Sequence, residues 1–123
     1  MVVHEGEVYW YDFGLSPGSE PGFRRPVVIL QGELFNATSL ATVVICALTS
    51  NAAMARFPGN VALAAGEAGL DRASVAVVTQ LFTVDRAYLG DYIGMLGPGR
   101  LQAMRLGARL VLGDEEALDR LLG

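Results

Sequence analysis

The sequence predicts a mainly β fold, a small and strongly bent antiparallel barrel with one C-terminal helix. Three observations carry this expectation. Six short runs rich in β-branched and aromatic residues lie between residues 7 and 96. Loops punctuated by Gly and Pro separate them. Apolar residues at helical spacing follow the breaker Gly97-Pro98-Gly99. At 123 residues the chain reads as a single domain, 1–123, and is long enough to bury a core without disulfides or a structural metal.

The first strand is Glu7–Phe13, E-V-Y-W-Y-D-F. Gly14–Arg25 holds three Gly and two Pro and reads as a loop, one long enough to suggest a functional role. Pro26–Gln31 is a second strand, with Pro at its first position where a missing N–H costs little. A turn at Asn36, Thr38 and Ser39 leads to a buried third strand, Ala41–Leu48. Thr49–Gly59 carries turn residues at both ends, and a short strand follows at Asn60–Ala64. After a turn at Glu67–Asp71 come strands at Ala73–Thr79 and Asp91–Leu96. The helix spans about Arg100–Leu112, with Leu101, Met104, Ala108, Val111 and Leu112 forming its apolar stripe. Gly113 ends it, and Asp114 is expected to cap a last short helix with Leu118, Leu121 and Leu122 turned inward.

Composition excludes several functions. One Cys and one His can build neither a disulfide nor a zinc site of soft ligands. Cys46, inside an apolar strand, reads as a small core residue. The longest uncharged stretch, Leu34–Ala55, is too densely interrupted by Asn, Thr and Ser to span a bilayer, and the N-terminus lacks a secretory pattern. A cytoplasmic protein with no membrane partner is expected. Hydrophobic residues make up 52% and charged residues 18%, against a usual ~25% charged, which predicts self-association over an apolar face. The formal charge is −4, but residues 114–123 hold Asp114, Glu115, Glu116 and Asp119 against Arg120 alone. The rest of the chain is close to neutral and leaves room for a local basic cleft.

Two loops carry the candidate chemistry. The first delivers Ser19, Glu20, Arg24 and Arg25 just before a buried strand, and the second delivers Thr49, Ser50 and Asn51 just after one. In adjacent antiparallel strands those two ends share one rim of a sheet, so Arg25 and Thr49 are expected to meet there.

The segments G-E-V-Y-W-Y-D-F (6–13), G-S-E-P-G-F-R-R-P-V-V-I-L (18–30), V-I-C-A-L-T-S-N (44–51) and D-R-A-S-V-A-V-V-T-Q-L-F-T-V-D (71–85) resemble the MazF/PemK family of toxin endoribonucleases. The resemblance implies an SH3-like barrel of the CcdB/MazF type. It further implies a homodimer that cuts single-stranded RNA without a metal or other cofactor, the 2′-OH attacking to leave a cyclic phosphate and a 5′-OH. The partner so implied is a cognate MazE-like antitoxin, through which alone operator DNA would be met. The family's catalytic Arg and Thr fall on Arg25 and Thr49, and its RNA contacts on Ser19, Glu20, Phe57, Ser74 and Gln80.

These residue types suit that chemistry. Attack by the 2′-OH concentrates negative charge on the non-bridging phosphate oxygens, to which an Arg can donate two charge-assisted bonds and a Thr hydroxyl a third. Arg is a poor proton acceptor near neutral pH, which leaves Glu20 as a candidate base on chemical grounds. Phe57 can stack on a base, Ser74 and Gln80 can read base edges, and Arg24 and Arg56 can hold phosphates. Pro21 stands where many relatives have Gln, Phe23 where they often have a small residue, Arg24 doubles the charge beside Arg25, and Thr79 replaces a carboxylate of some relatives. Trp10, Tyr9 and Tyr11 read as packing and dimer contact. The rival reading is a toxin of the same fold that acts by binding protein, as gyrase poisons do, for which an Arg25/Thr49 pair has no use. A member that has lost cleavage and only binds is the other.

Overall fold

A computed structural model of the chain describes residues 1–14, 18 and 23–123. Six strands form one antiparallel sheet: β1 (Glu7–Asp12), β2 (Arg24–Ile29), β3 (Thr42–Thr49), β4 (Val61–Leu63), β5 (Ser74–Asp85) and β6 (Tyr92–Met95), in the spatial order β4-β5-β3-β2-β1-β6. Three helices, α1 (Glu33–Asn36), α2 (Pro98–Val111) and α3 (Glu116–Leu122), and single 3-10 turns at Ala52–Arg56, Glu67–Gly69 and Arg86–Tyr88 complete it. Among the described residues no helix is long and apolar enough to cross a membrane.

Period-two alternation in the strands feeds two cores. Val8, Val28, Cys46, Leu48 and Ala76 lie in one, against Met104 of α2. Tyr9, Val27, Ile29, Val43 and Ile45 lie in the other, which Val3 and Leu89 join from outside the ladders. Cys46 is fully buried as expected, its Sγ 3.3 Å from the Val77 carbonyl, and burial pushes its thiol up to about 12. Cys46 should therefore resist a thiol reagent such as Ellman's in the native protein at pH 8 and react at once in denaturant.

The sheet curls because β5 is long and irregular. Leu81–Asp85 pair with Cys46–Thr42, whereas Val75 and Ala76 pair with Thr49 and Leu48, and the register shifts between. Asn60 ties this bend down, its Oδ1 accepting from the Val78 N–H at 3.0 Å and its Nδ2 donating to the Met54 carbonyl at 2.9 Å. The curl brings the turn at Glu67–Gly69 against β6. There the two backbones touch: a Cβ on Gly94 would collide with the carbonyl of Ala68, and one on Gly69 with that of Ile93. A bidentate ion pair fastens the same turn to α2, with Arg100 Nε and Nη2 donating to Glu67 at 3.0 and 3.1 Å. On the other side of α2, Gly107 meets Gly59 with no room for a side chain.

Several boundaries differ from the sequence expectation. β2 begins at Arg24, so Arg24 and Arg25 are strand residues rather than loop residues. α1 takes in Asn36, the first residue of the expected turn, which is buried and held to Gln31 by side-chain and backbone bonds of 3.0 and 2.7 Å. β5 runs on to Asp85 instead of stopping near Thr79, because the register shift lets one strand pair twice with β3. The inward stripe of α2 is Met104, Leu106 and Gly107, while Val111 and Leu112 are exposed. The main partner of the Asp114 carboxylate is Arg109, which donates to its Oδ2 at 2.8 and 2.6 Å, and the backbone N–H of Glu116 at the start of α3 adds a weaker contribution that also lowers the carboxyl. α3 buries Ala117 and leaves Leu118 and Leu122 exposed.

The N-terminal segment is anchored electrostatically. Glu33 accepts from the His4 ring at 2.9 Å and from the Glu5 backbone N–H at 2.5 Å. The His4 bond, followed by that from Glu5, lowers the Glu33 carboxyl to about 2, and the same contact raises His4 above its ordinary 6.5. The Glu33 contribution is complete above its ordinary 4.5 and lost as pH falls toward 2, while that of His4 is complete below 6.5 and lost as pH rises through its higher folded value. The anchor is thus strongest between about pH 4.5 and 6.5. An NMR titration of the His4 ring should give a midpoint above 6.5, and Glu33→Gln should lower it.

Candidate active site

β2 and β3 pair antiparallel with Val27 opposite Ala47, Val28 opposite Cys46 and Ile29 opposite Ile45. Two residues further along the same register Arg25 faces Thr49, just past the last of these pairs. Both residues line a cleft of about 500 Å³ at this rim of the sheet. The meeting expected from the loop positions is therefore present. Arg24, Pro26 and Leu48 extend the parity of the first core to the mouth of the cleft, and Arg25 and Thr49 reach it one residue over.

The side chains are held by short-range contacts. The Asn51 N–H donates to Thr49 Oγ1 at 3.2 Å, and Asn51 Oδ1 in turn accepts from Ala53 N–H, capping the 3-10 turn. Thr49 thus takes part in the turn as an acceptor and keeps its own O–H as a donor. On β1, Trp10 sits opposite Pro26 and also lines the cleft. The Arg24 guanidinium lies 4.4 Å from the centre of the Trp10 ring. Gly69–Arg72, Ser74 of β5, and Tyr92 and Ile93 of β6 complete the lining. Ser74 is buried there, its hydroxyl donating to the Arg72 carbonyl at 3.1 Å.

Charge is concentrated where the sequence left room for it. Three arginines (24, 25 and 72) and one aspartate (71) line the cleft of a chain whose formal charge is −4. Glu5, Glu67 and Asp114 are engaged elsewhere by Arg105, Arg100 and Arg109. The result is a cationic recess on an acidic protein, suited to a polyanion.

Of the residues named from sequence, the structure gathers Arg24, Arg25, Thr49 and Ser74 into this cleft. Phe57 and Arg56 stand outside its lining, at the end of the 3-10 turn, both exposed, with the Arg56 guanidinium 4.8 Å from the Phe57 ring centre. Gln80 is half-buried on β5 at the irregular stretch, also outside the lining. Ser19, Glu20 and Pro21 lie outside the described residues. Sequence reading overlooked Trp10, Asp71, Arg72 and Tyr92. Strand parity held a signal for Trp10: Tyr9 and Tyr11 share one face, so Trp10 must take the other.

The comparisons agree with this architecture. A family model described as PemK-like, MazF-like toxin of type II toxin–antitoxin systems matches residues 4–112. Endoribonuclease MazF6 of Mycobacterium tuberculosis is 41% identical over 112 residues, 91% of this chain and 98% of that protein. A solved structure of an endoribonuclease in complex with its cognate antitoxin, from a mycobacterial species, superposes with a TM-score of 0.74 at 22% identity, over 90% of this chain and 95% of that one. MazF from Deinococcus radiodurans gives 0.73 at 24% identity, over 92% and 98%. These two structures share the fold. The chain belongs to the PemK-like, MazF-like toxin family of type II toxin–antitoxin systems.

Proposed function

We propose that this toxin is an endoribonuclease that cuts single-stranded RNA at the Arg25/Thr49 cleft without a metal. The observation that carries the reading is the convergence of Arg25 and Thr49, from different strands, in one cationic recess. A backbone phosphate placed there brings its non-bridging oxygens to the guanidinium of Arg25 and the hydroxyl of Thr49. The 2′-oxygen attacks phosphorus as its proton passes to a base, the role proposed for Glu20, and the P–O5′ bond breaks. The departing O5′ takes a proton to become a 5′-OH, and the phosphate remains as a 2′,3′-cyclic diester. Charge grows on the non-bridging oxygens during attack, and donors fixed beforehand favour that state over the ground state. Arg24 and Arg72 supply backbone charge and Ser74 a polar edge of the lining. Ser19, Glu20, Arg56, Phe57 and Gln80 complete the proposed RNA contacts.

Association as a homodimer and inhibition by a cognate antitoxin belong to the same reading. Exposed Leu34, Phe35, Leu112 and Leu122 support the first, since a lone domain rarely leaves so many large apolar side chains in water. Sedimentation at micromolar concentration should give a dimer.

The test of the activity is direct. Purified protein in EDTA should cut a long unstructured RNA into a few discrete fragments, and sequencing of the 5′-OH ends would report both reaction class and site preference. Cleavage that needs added Mg²⁺, or fragments with 5′-phosphate ends, would overturn the mechanism.

A further inference from the structure

We propose that Trp10, Arg24 and Tyr92 form a stacking platform that holds an unstacked nucleobase beside the phosphate bound at Arg25 and Thr49. This rests on the nuclease reading and adds a base-holding surface to it. All three residues line the same cleft as the Arg25/Thr49 pair. Trp10 is half-buried in β1 and fixed by its strand, with Arg24 laid over its ring at 4.4 Å. Arg24 itself is exposed, so a planar cation, backed by an aromatic ring, is presented at the mouth of the cleft. Tyr92 is 55% exposed although its ring is steadied from within, edge to face with buried Tyr9 at 5.6 Å. Tyr9 is in turn held by a bond from its hydroxyl to Glu7 at 3.1 Å.

Two flat groups, each braced on the protein side and exposed on the other, are what an unpaired base requires. Arginine planes and aromatic faces both stack on bases, and such a contact tolerates any base because each has a π-face. A braced side chain also loses less freedom on binding than a mobile one.

Trp10 is the chain's single tryptophan, so its emission reports on the platform alone. The probe is a dye-labelled single-stranded RNA made uncleavable by 2′-O-methyl groups, with dye anisotropy and Trp10 emission followed in the same titration. Both signals should saturate together. Trp10→Ala and Arg24→Ala should each weaken binding about tenfold by anisotropy, and Trp10→Phe, which keeps a flat face, should restore most of it. Anisotropy that saturates while Trp10 emission stays constant, or Trp10→Ala binding like the parent, would overturn the platform and leave the nuclease reading standing. No RNA binding by anisotropy, together with no cleavage, would remove both. The emission titration uses the unaltered protein and stands even where a Trp10 variant folds poorly.

Discussion

Arg25→Ala is expected to slow RNA cleavage by roughly 10²–10³-fold or more, the usual effect of removing a donor aimed at developing charge. The loss should appear in the single-turnover rate at saturating RNA and only weakly in affinity, because Arg24 and Arg72 still supply cationic charge to the cleft. Arg25→Lys keeps the charge but not the planar fork, and should recover only part of the rate. The fold should survive both changes. β2 is anchored by Val27, Val28 and Ile29, all fully buried, whereas Arg25 lies at its open end. A thermal midpoint within a few degrees of the parent would confirm this. Full-rate cleavage by the Ala variant would remove Arg25 from the mechanism.

Gly94→Ala is expected to be the most damaging single-methyl addition. The new Cβ would land on the backbone of Ala68, where β6 meets the turn at Glu67–Gly69, and neither backbone has a flexible end that can yield. Overpacking of this kind costs roughly 1–3 kcal/mol or more, which for a chain of this size lowers the thermal midpoint by about 5–15 °C. Activity should fall as well, since the displaced segments carry Tyr92 and Ile93 on one side and Gly69–Arg72 on the other, all in the cleft lining. Gly99→Ala is the matched control. Its Cβ would meet nothing within 4 Å, it lies inside α2, and it should leave stability unchanged or slightly raised. Equal behaviour of the two variants would mean that the barrel closure is not as tight as described.

Much of this was legible in the residues because it depends on local pattern. Strand segments followed from runs of β-branched residues, and Arg25 and Thr49 could be brought together because antiparallel pairing alone puts those strand ends side by side. What escaped depends on distant partners. The length of β5 rests on a register shift against β3, which no run of residues announces. Asp114 follows the helix-cap pattern, yet the main partner of its carboxylate is Arg109, five positions earlier. Val111 and Leu112 continue the helical spacing of α2 yet lie exposed at its C-terminal end. Phe23 adopts φ 57°, a conformation that Gly takes without strain and that its side chain does not announce. The contribution of Asp71, Arg72 and Tyr92 to the cleft was invisible because the curl of the sheet brings them to it.

The manner in which the barrel closes bears on the cleft. Arg25 and Thr49 sit on strands bound to their neighbours by continuous main-chain ladders. The turn at Glu67–Gly69 is secured differently: among the described residues no backbone hydrogen bond joins it to β6, and backbone contact, buried Leu70 and the Glu67–Arg100 pair hold it there. β6 itself is laddered to β1. A seam without main-chain bonds parts before a ladder does, and neither reacting group lies on it, so their spacing is independent of how firmly the ring is shut.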